Sequence, residues 1–228
     1  PPSGDAPTGA PGNGASPSGG ANTMSFDYSG TYSGVITADG TQVSSDGESF
    51  DASEADENAA LAENGGTLSL TGATLTKSGD DTNGDNCNFY GVNSVLLSVG
   101  EGSLATVSGS ALSSTSEGSN AIFATDSATA YANDVRIDTT AGNSRGLDAT
   151  YGGTIIANGV TATTQGDHSA TVATDRGGGS MSLTNSTLST AGSGSPLLYS
   201  TGDIEVSGVT GTASGSQIAA MEGLNTIL

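Results

Sequence analysis

Short apolar stretches recur along most of this chain at intervals near 25 residues, and polar turn residues separate them. The clearest unit is RGLDATYGGTIIANGVTATTQGDH, residues 145–168. It contains three strand-like pieces, at 146–150, 154–157 and 159–163, separated by Tyr-Gly-Gly and Asn-Gly. Because glycine and asparagine tolerate tight bends, this pattern predicts three short strands in one coil.

Seven such units align on a column of mostly small residues near the end of the first strand, the anchor column. It consists of Ala62, Ser98, Ala124, Ala149, Ala173, Ser200 and Met221. The column two positions earlier consists of Ala60, Leu96, Ile122, Leu147, Thr171, Leu198 and Ala219. Since side chains alternate along a strand, both columns face the same side, which we interpret as the core.

This periodicity predicts an all-β fold, a right-handed parallel β-helix (β-solenoid) of about seven coils with three strands each. The handedness follows because parallel crossovers are right-handed in nearly all proteins. A leucine-rich horseshoe is the rival fold, but its repeated leucine and asparagine signature is missing here. A β-sandwich would not keep such columns in register.

The chain divides into three predicted regions. Residues 1–23 hold five of the six prolines and predict a disordered linker rich in Pro, Gly and Ser. Residues 24–57 hold four of the ten aromatic residues and predict an N-terminal cap with a first irregular coil. Residues 58–228 form the predicted β-helix. Its last coil stops partway, so we expect the natural protein to continue or another chain to cover this end.

The net charge of −20, from 24 acidic against four basic residues, narrows the range of partners. Nucleic-acid binding depends on cations that neutralise phosphates, so the charge argues against it. An anionic membrane surface would repel the chain as well. Cys87 is the single cysteine, which excludes an internal disulfide. No apolar run approaches the roughly 18 residues that a membrane span requires.

Five stretches resemble a group of secreted or lipid-anchored bacterial surface proteins, the adhesin-like or carbohydrate-binding β-helix proteins. The stretches are residues 57–80, 85–94 (DNCNFYGVNS), 144–155 (SRGLDATYGGTI), 173–204 and 221–227 (MEGLNTI). The resemblance implies an extracellular or cell-surface location and a role in adhesion or polysaccharide binding. The best-understood relatives bind acidic plant polysaccharides such as pectin, often with calcium.

An insertion of about ten residues, within 79–91, makes one interval longer than the others. It holds four candidate calcium ligands: Asp80, Asp81, Asn83 and Asp85. The spacing begins like a calcium loop, but Asn86 replaces the expected glycine and Val92 the closing glutamate. Two interpretations remain: a calcium site, or a polar loop that satisfies its own backbone.

A ligand-binding face is predicted two residues beyond the anchor column. Its candidate residues are Asp126, Tyr151, Asp175, Arg176, Arg145 and His168. The first three should stack in successive coils, with the basic residues near the same edge. An aromatic surface with charged hydrogen-bonding groups can hold sugars, including uronates. The alternative is a solvent-exposed face with ordinary salt bridges.

A column one residue before the anchor column should point outward, yet it is mostly apolar. Its candidate interface residues are Leu61, Leu97, Phe123, Val172 and Tyr199. An exposed apolar stripe usually marks an interface, so self-association through this column or through the open coil end is one expectation. The other is that the N-terminal segment covers it.

The predicted function is a non-enzymatic, extracellular β-helix for adhesion or polysaccharide binding, with an acidic glycan as one candidate ligand. A calcium-assisted polysaccharide lyase or a glycoside hydrolase is one alternative, and a structural stalk or spacer is another. A lyase needs a base beside its substrate, but Lys77 and the three arginines occupy different coil positions. A hydrolase needs clustered carboxylates, for which Asp80 and Asp81 are the nearest match.

Overall fold

The computed structural model describes residues 20–224 and 226–228, in which three parallel sheets stack into a β-solenoid. Seven complete coils each contribute one strand to every sheet, and a further strand begins an eighth coil. The predicted all-β parallel β-helix with three strands per coil is therefore confirmed. Most of the predicted linker, residues 1–19, lies outside the described residues.

The strands are three to six residues long, and one α-helix interrupts their succession. In chain order they are β1 (Gly34–Asp39), β2 (Gln42–Asp46), β3 (Ser49–Ala52), β4 (Asn58–Glu63), β5 (Thr67–Thr71), β6 (Thr74–Lys77), α1 (Gly84–Tyr90), β7 (Leu96–Val99), β8 (Leu104–Ser108), β9 (Ala111–Ser114), β10 (Ile122–Thr125), β11 (Thr129–Asn133), β12 (Arg136–Thr139), β13 (Leu147–Ala149), β14 (Gly153–Asn158), β15 (Thr161–Thr164), β16 (Val172–Thr174), β17 (Gly179–Thr184), β18 (Thr187–Thr190), β19 (Leu198–Ser200), β20 (Asp203–Ser207), β21 (Thr210–Ala213) and β22 (Ala219–Met221). Sheet A takes every third strand from β1 to β22, sheet B from β2 to β20, and sheet C from β3 to β21.

The core consists of inward side chains stacked in ladders along the solenoid axis. In sheet A, for example, Ile122 pairs with Leu96 on one side and with Leu147 on the other, and all three are buried. Burial alternates along the strands of sheets B and C, as expected for strands with one face in the core. Each fully buried leucine or isoleucine contributes about 1.5–3 kcal/mol, and the ladders repeat this contribution in every coil.

A ladder of polar side chains runs along the turns that follow the sheet C strands. The threonine that ends a sheet C strand donates its hydroxyl to a serine carbonyl five residues later. The pairs are Thr139–Ser144 (2.6 Å), Thr164–Ser169 (2.5 Å) and Thr190–Ser195 (2.7 Å). The serine hydroxyls then accept backbone N–H groups of the preceding coil, as Ser169 does from Ser144 at 2.9 Å. Buried backbone groups at the turn are thereby paired.

The turns that follow the sheet C strands of consecutive coils approach each other so closely that glycine is required there. A Cβ atom on Gly166 would lie 1.8 Å from the carbonyl oxygen of Ala141. The atom it would meet is backbone, which cannot rotate away, so a side chain at this position would separate the coils.

One coil lies one residue away from its predicted register. Ala149 pairs with Thr174, whereas the predicted partner was Ala173. Val172 therefore points into the core with 0% exposure, and Ala173 takes the outward position. Because a one-residue shift reverses the face of every side chain, the prediction of Val172 as an interface residue is wrong.

The solenoid begins before the predicted boundary at residue 58. Strands β1, β2 and β3 form a regular first coil that pairs with β4, β5 and β6. Residues 24–33, here called the strap, precede it. A 3₁₀ helix at Ala21–Thr23 also belongs to the fold, because the carbonyl of Ala21 accepts a hydrogen bond from the Gly177 N–H at 2.9 Å.

Candidate ligand-binding cleft

The strap covers the outward apolar column on sheet A. Leu61, Leu97 and Phe123 are at most 1% exposed. They form one cluster with Phe26 and Tyr32 of the strap. The column is therefore buried by the chain itself, which corrects the expectation that these three residues form an interface with a partner.

The insertion folds into α1, which covers the same face of sheet A. The side-chain oxygen of Asn83 caps the helix by accepting the N–H of Asn86 at 3.2 Å. Gly91 ends it in the left-handed region, with φ of 73°. A Cβ atom on Gly91 would lie 2.7 Å from Cδ1 of Leu97, so the end of the helix rests directly on the apolar column.

An aromatic cluster joins the strap, α1 and the solenoid. The rings of Tyr90 and Tyr151 stack in parallel with centroids 5.3 Å apart, and the ring of Phe26 lies nearly perpendicular to both. Tyr28 stacks on Tyr90 at 5.3 Å. Such aromatic pairs contribute about 0.5–1.5 kcal/mol each beyond the area they bury. Tyr151 is only 6% exposed, so it holds α1 in place and is not available on a ligand-binding face.

Arg145 and Asp175, two further residues of the predicted ligand face, belong to a buried ionic network. The Arg145 guanidinium bonds Asp148 and Asp175, each at 3.0 Å, and lies 3.4 Å from the carbonyl oxygen of Asn88 in α1. Burial raises the pKa of Asp148 to about 7, although the charge of Arg145 acts in the opposite direction. Burial also raises the pKa of Asp175. The network links two coils of the solenoid to the helix.

Of the remaining members of the predicted face, His168 lies beside Arg145, whereas Arg176 lies against α1. The guanidinium of Arg176 lies 3.5 Å from the ring centre of Phe89 and 3.8 Å from Asp85. His168 is exposed and lines a recess of about 200 Å³ together with Arg145 and Tyr199. Tyr199, predicted as an interface residue, is half-buried. The six predicted ligand residues are therefore divided between a buried network, an aromatic cluster and surface positions, and among the surface positions only His168 shares a recess with Arg145.

Three of the four predicted calcium ligands have other roles. Asp80 accepts the N–H of Glu117 at 3.1 Å, Asn83 caps α1, and Asp85 faces an arginine. Burial raises the pKa of Asp81, and the charge of Glu117 adds to this effect. Within residues 20–224 and 226–228, no group of three or more His, Cys, Asp or Glu side chains has the geometry to hold a metal ion. The geometry favours the second interpretation, a polar loop that satisfies its own backbone.

A cleft of about 570 Å³ opens between the strap and the turns that follow sheet A. Phe26 and Tyr32 contribute an aromatic wall, and Glu63, Glu101 and Asp126 contribute carboxylates. The complete lining is Phe26, Gly30, Thr31, Tyr32, Glu63, Asn64, Val99, Gly100, Glu101 and Asp126. The solenoid positions the carboxylates because they come from three successive coils, at the ends of β4, β7 and β10.

The electrostatics of the cleft favour positive groups and hydrogen-bond donors. Burial raises the pKa of Glu63, and the neighbouring charge of Asp39 adds to it. Burial also raises the pKa of Asp126, with a further contribution from Glu101. These carboxylates have lost part of their hydration and repel nearby like charges, so a donor or cation placed among them would relieve both costs.

No protein-family model, curated protein or solved structure matches this chain. The resemblance to bacterial surface β-helix proteins therefore remains a prediction, and the function has to be inferred from the cleft. Among the described helices, none combines the length and apolar character of a membrane span.

Of the cleft residues, only Asp126 was a predicted ligand. The turn from β7 to β8 contains four residues, 100–103, whereas the turn from β4 to β5 contains three, 64–66. The turn that holds Glu101 is therefore one residue longer than its neighbour, so a column alignment does not fix the place of Glu101. The aromatic wall comes from the strap, which lies outside the repeat.

The buried carboxylates predict that stability falls as the pH rises from about 4 to 7. Their folded-state pKa values are raised, so in this window the folded chain binds more protons than the unfolded chain, whose aspartates titrate near 3.9. We expect a higher melting temperature at about pH 5 than at about pH 8. Asp148→Asn should reduce the difference, whereas the exposed control Asp46→Asn should not. A melting temperature that rises steadily over this range in the wild type would contradict the prediction.

Proposed function

We propose that this protein is a non-enzymatic, extracellular β-helix that binds a polysaccharide or a cell-surface glycan in the cleft. The observation that carries the proposal is the composition of the cleft. The strap contributes the rings of Phe26 and Tyr32, and the turns after sheet A contribute carboxylates and the Asn64 amide. Aromatic rings pack against the apolar faces of sugars, and carboxylates and amides bond their hydroxyls, so the cleft offers both kinds of contact.

The basic residues support a binding role over a lyase. Lys77 is buried and donates to the carbonyl of Glu54 at 2.6 Å, and burial lowers its pKa. Arg145 is neutralised by two carboxylates. A lyase needs a free base beside its substrate, and none of the ten residues that line the cleft is basic.

The test is calorimetric titration of the full chain with a panel of oligosaccharides. Glu101→Gln and Asp126→Asn should each weaken binding about tenfold, the effect expected when one charge-assisted hydrogen bond is lost. Both substitutions preserve shape, and asparagine tolerates the φ of 51° at position 126. Glu205→Gln, on the exposed face of sheet B, is the matched control and should leave binding unchanged.

The same samples distinguish the alternative functions. Release of new reducing ends that Glu101→Gln or Asp126→Asn abolishes would identify a glycoside hydrolase and reject the non-enzymatic proposal. Absence of binding to every glycan in the panel would leave a structural stalk or spacer as the better account.

A further inference from the structure

We propose that the cleft selects a cationic glycan, a polysaccharide of amino sugars whose amino groups are free and protonated. This inference rests on the proposed function, because it names the class of ligand for the same cleft. It departs from the acidic glycan that the sequence resemblance suggests.

The charges that line the cleft are all negative. Glu63, Glu101 and Asp126 approach it from three coils, and no lining residue carries a positive charge. A uronate polymer would place further carboxylates among them and would be repelled. A protonated amine would instead be attracted to these carboxylates and could form charge-assisted hydrogen bonds with them.

The four basic residues of the chain cannot reverse this charge locally, because each is engaged elsewhere. Arg145 bonds Asp148 and Asp175, and Arg176 stacks on an aromatic ring in α1. Lys77 is buried, and Arg136 pairs with an aspartate on sheet C. A cleft that used a basic side chain to hold a uronate would need one of these residues to move.

The aromatic wall is the second, independent feature. Phe26 and Tyr32 line the cleft, and the faces of aromatic rings attract cations as well as the apolar faces of sugar rings. An amino sugar offers both groups in one residue, together with hydroxyls for Thr31 and Asn64. A small polyamine would use the charges but not the hydroxyl partners.

Because the carboxylates are partly desolvated, the affinity for a cationic glycan should depend on pH. The pKa values of Glu63 and Asp126 are raised by burial, so a bound ammonium should lower them and release protons. Affinity should therefore increase as the pH rises and the carboxylates ionise, and decrease again once the sugar amine loses its proton. A neutral sugar would show no such maximum.

The experiment compares four hexasaccharides of equal length with the full chain: glucosamine, N-acetylglucosamine, glucose and galacturonate. The glucosamine hexamer should bind at least about tenfold more tightly than the glucose hexamer, with one ligand per chain, and the galacturonate hexamer should bind most weakly. Glu101→Gln should reduce the preference for glucosamine, and Glu205→Gln should leave it unchanged.

Four results would overturn the inference, and each has a distinct meaning. Equal affinity for glucose and glucosamine would reject the cationic ligand and keep the proposed function, whereas no binding to any hexamer would reject both. Spermine binding as tight as the glucosamine hexamer would show recognition of any polyamine. Several glucosamine ligands per chain, insensitive to Glu101→Gln, would show general attraction to an acidic protein.

Discussion

Replacing Arg145 with alanine is expected to lower the free energy of unfolding by about 3–5 kcal/mol. The substitution leaves Asp148 and Asp175 buried without their shared cation, and uncompensated buried charge is among the most costly changes in a protein. It also removes a contact to the carbonyl of Asn88, so α1 should loosen. Chemical denaturation monitored by circular dichroism measures the loss. The loss should be smaller at about pH 5, where the two carboxyl groups can take up protons.

Arg136→Ala is the matched control for this prediction. Arg136 and Asp138 also form an arginine–aspartate pair, at 2.8 Å, but their side chains are 64% and 32% exposed. Exposed pairs contribute at most about 1 kcal/mol, so the control should change stability little. Similar small losses in both variants would show that the Arg145 network is not the buried anchor described above.

Replacing Phe123 with alanine is expected to cost about 3–5 kcal/mol as well, although the residue points away from the solenoid core. Phe123 is fully buried beneath the strap and contacts the cluster of Leu61 and Leu97. Its removal should leave a cavity between the strap and sheet A. Hydrogen exchange of residues 26–32 should therefore accelerate more than that of sheets B and C.

Tyr131→Ala is the control for Phe123→Ala, because both aromatic residues point outward from adjacent strands of one coil. Tyr131 is 41% exposed on sheet B, and its loss should change stability by less than about 1 kcal/mol. If Phe123→Ala were as mild as this control, the outward column would not be covered by the strap in solution.

The fold could be predicted from the sequence because each coil has small inward residues and tight turns at corresponding positions. The error in register at one coil has a specific cause. The anchor column placed Ala173 beside Ala149, so the predicted position of Val172 fell on the outward face. The structure instead pairs Ala149 with Thr174, which keeps the apolar Val172 in the core. Burying the larger apolar residue determines the register, and similarity between residues of adjacent coils does not.

The cleft could be predicted only in part, because its two walls are joined by tertiary contacts. Asp126 followed from the column pattern, whereas Tyr32 and Phe26 belong to a strap without a repeat. The network of Arg145 and Asp175 was missed for a related reason. The two residues are thirty positions apart and meet because their coils stack, and their opposite charges suggested a surface face instead of a buried pair.

The position of the insertion was predicted correctly from the sequence, but its structure was not. Its length and acidic residues suggested a calcium loop. Asn83 and Gly91 were also readable as helix-capping residues, and the structure uses them in that way. The helix covers an apolar column that would otherwise be exposed, so the insertion completes the fold beside the cleft.

The measurement that tests the central claim most directly is hydrogen exchange of the full chain with and without the tightest-binding hexasaccharide. If the cleft is the binding site, protection should increase in the strap, at residues 26–32, and at residues 63–66, 99–103 and 126–128, which include the turns after sheet A. Sheets B and C should remain unchanged. Protection confined to the exposed face of sheet B around Tyr131 and Ile156, with none in the strap, would contradict the claim.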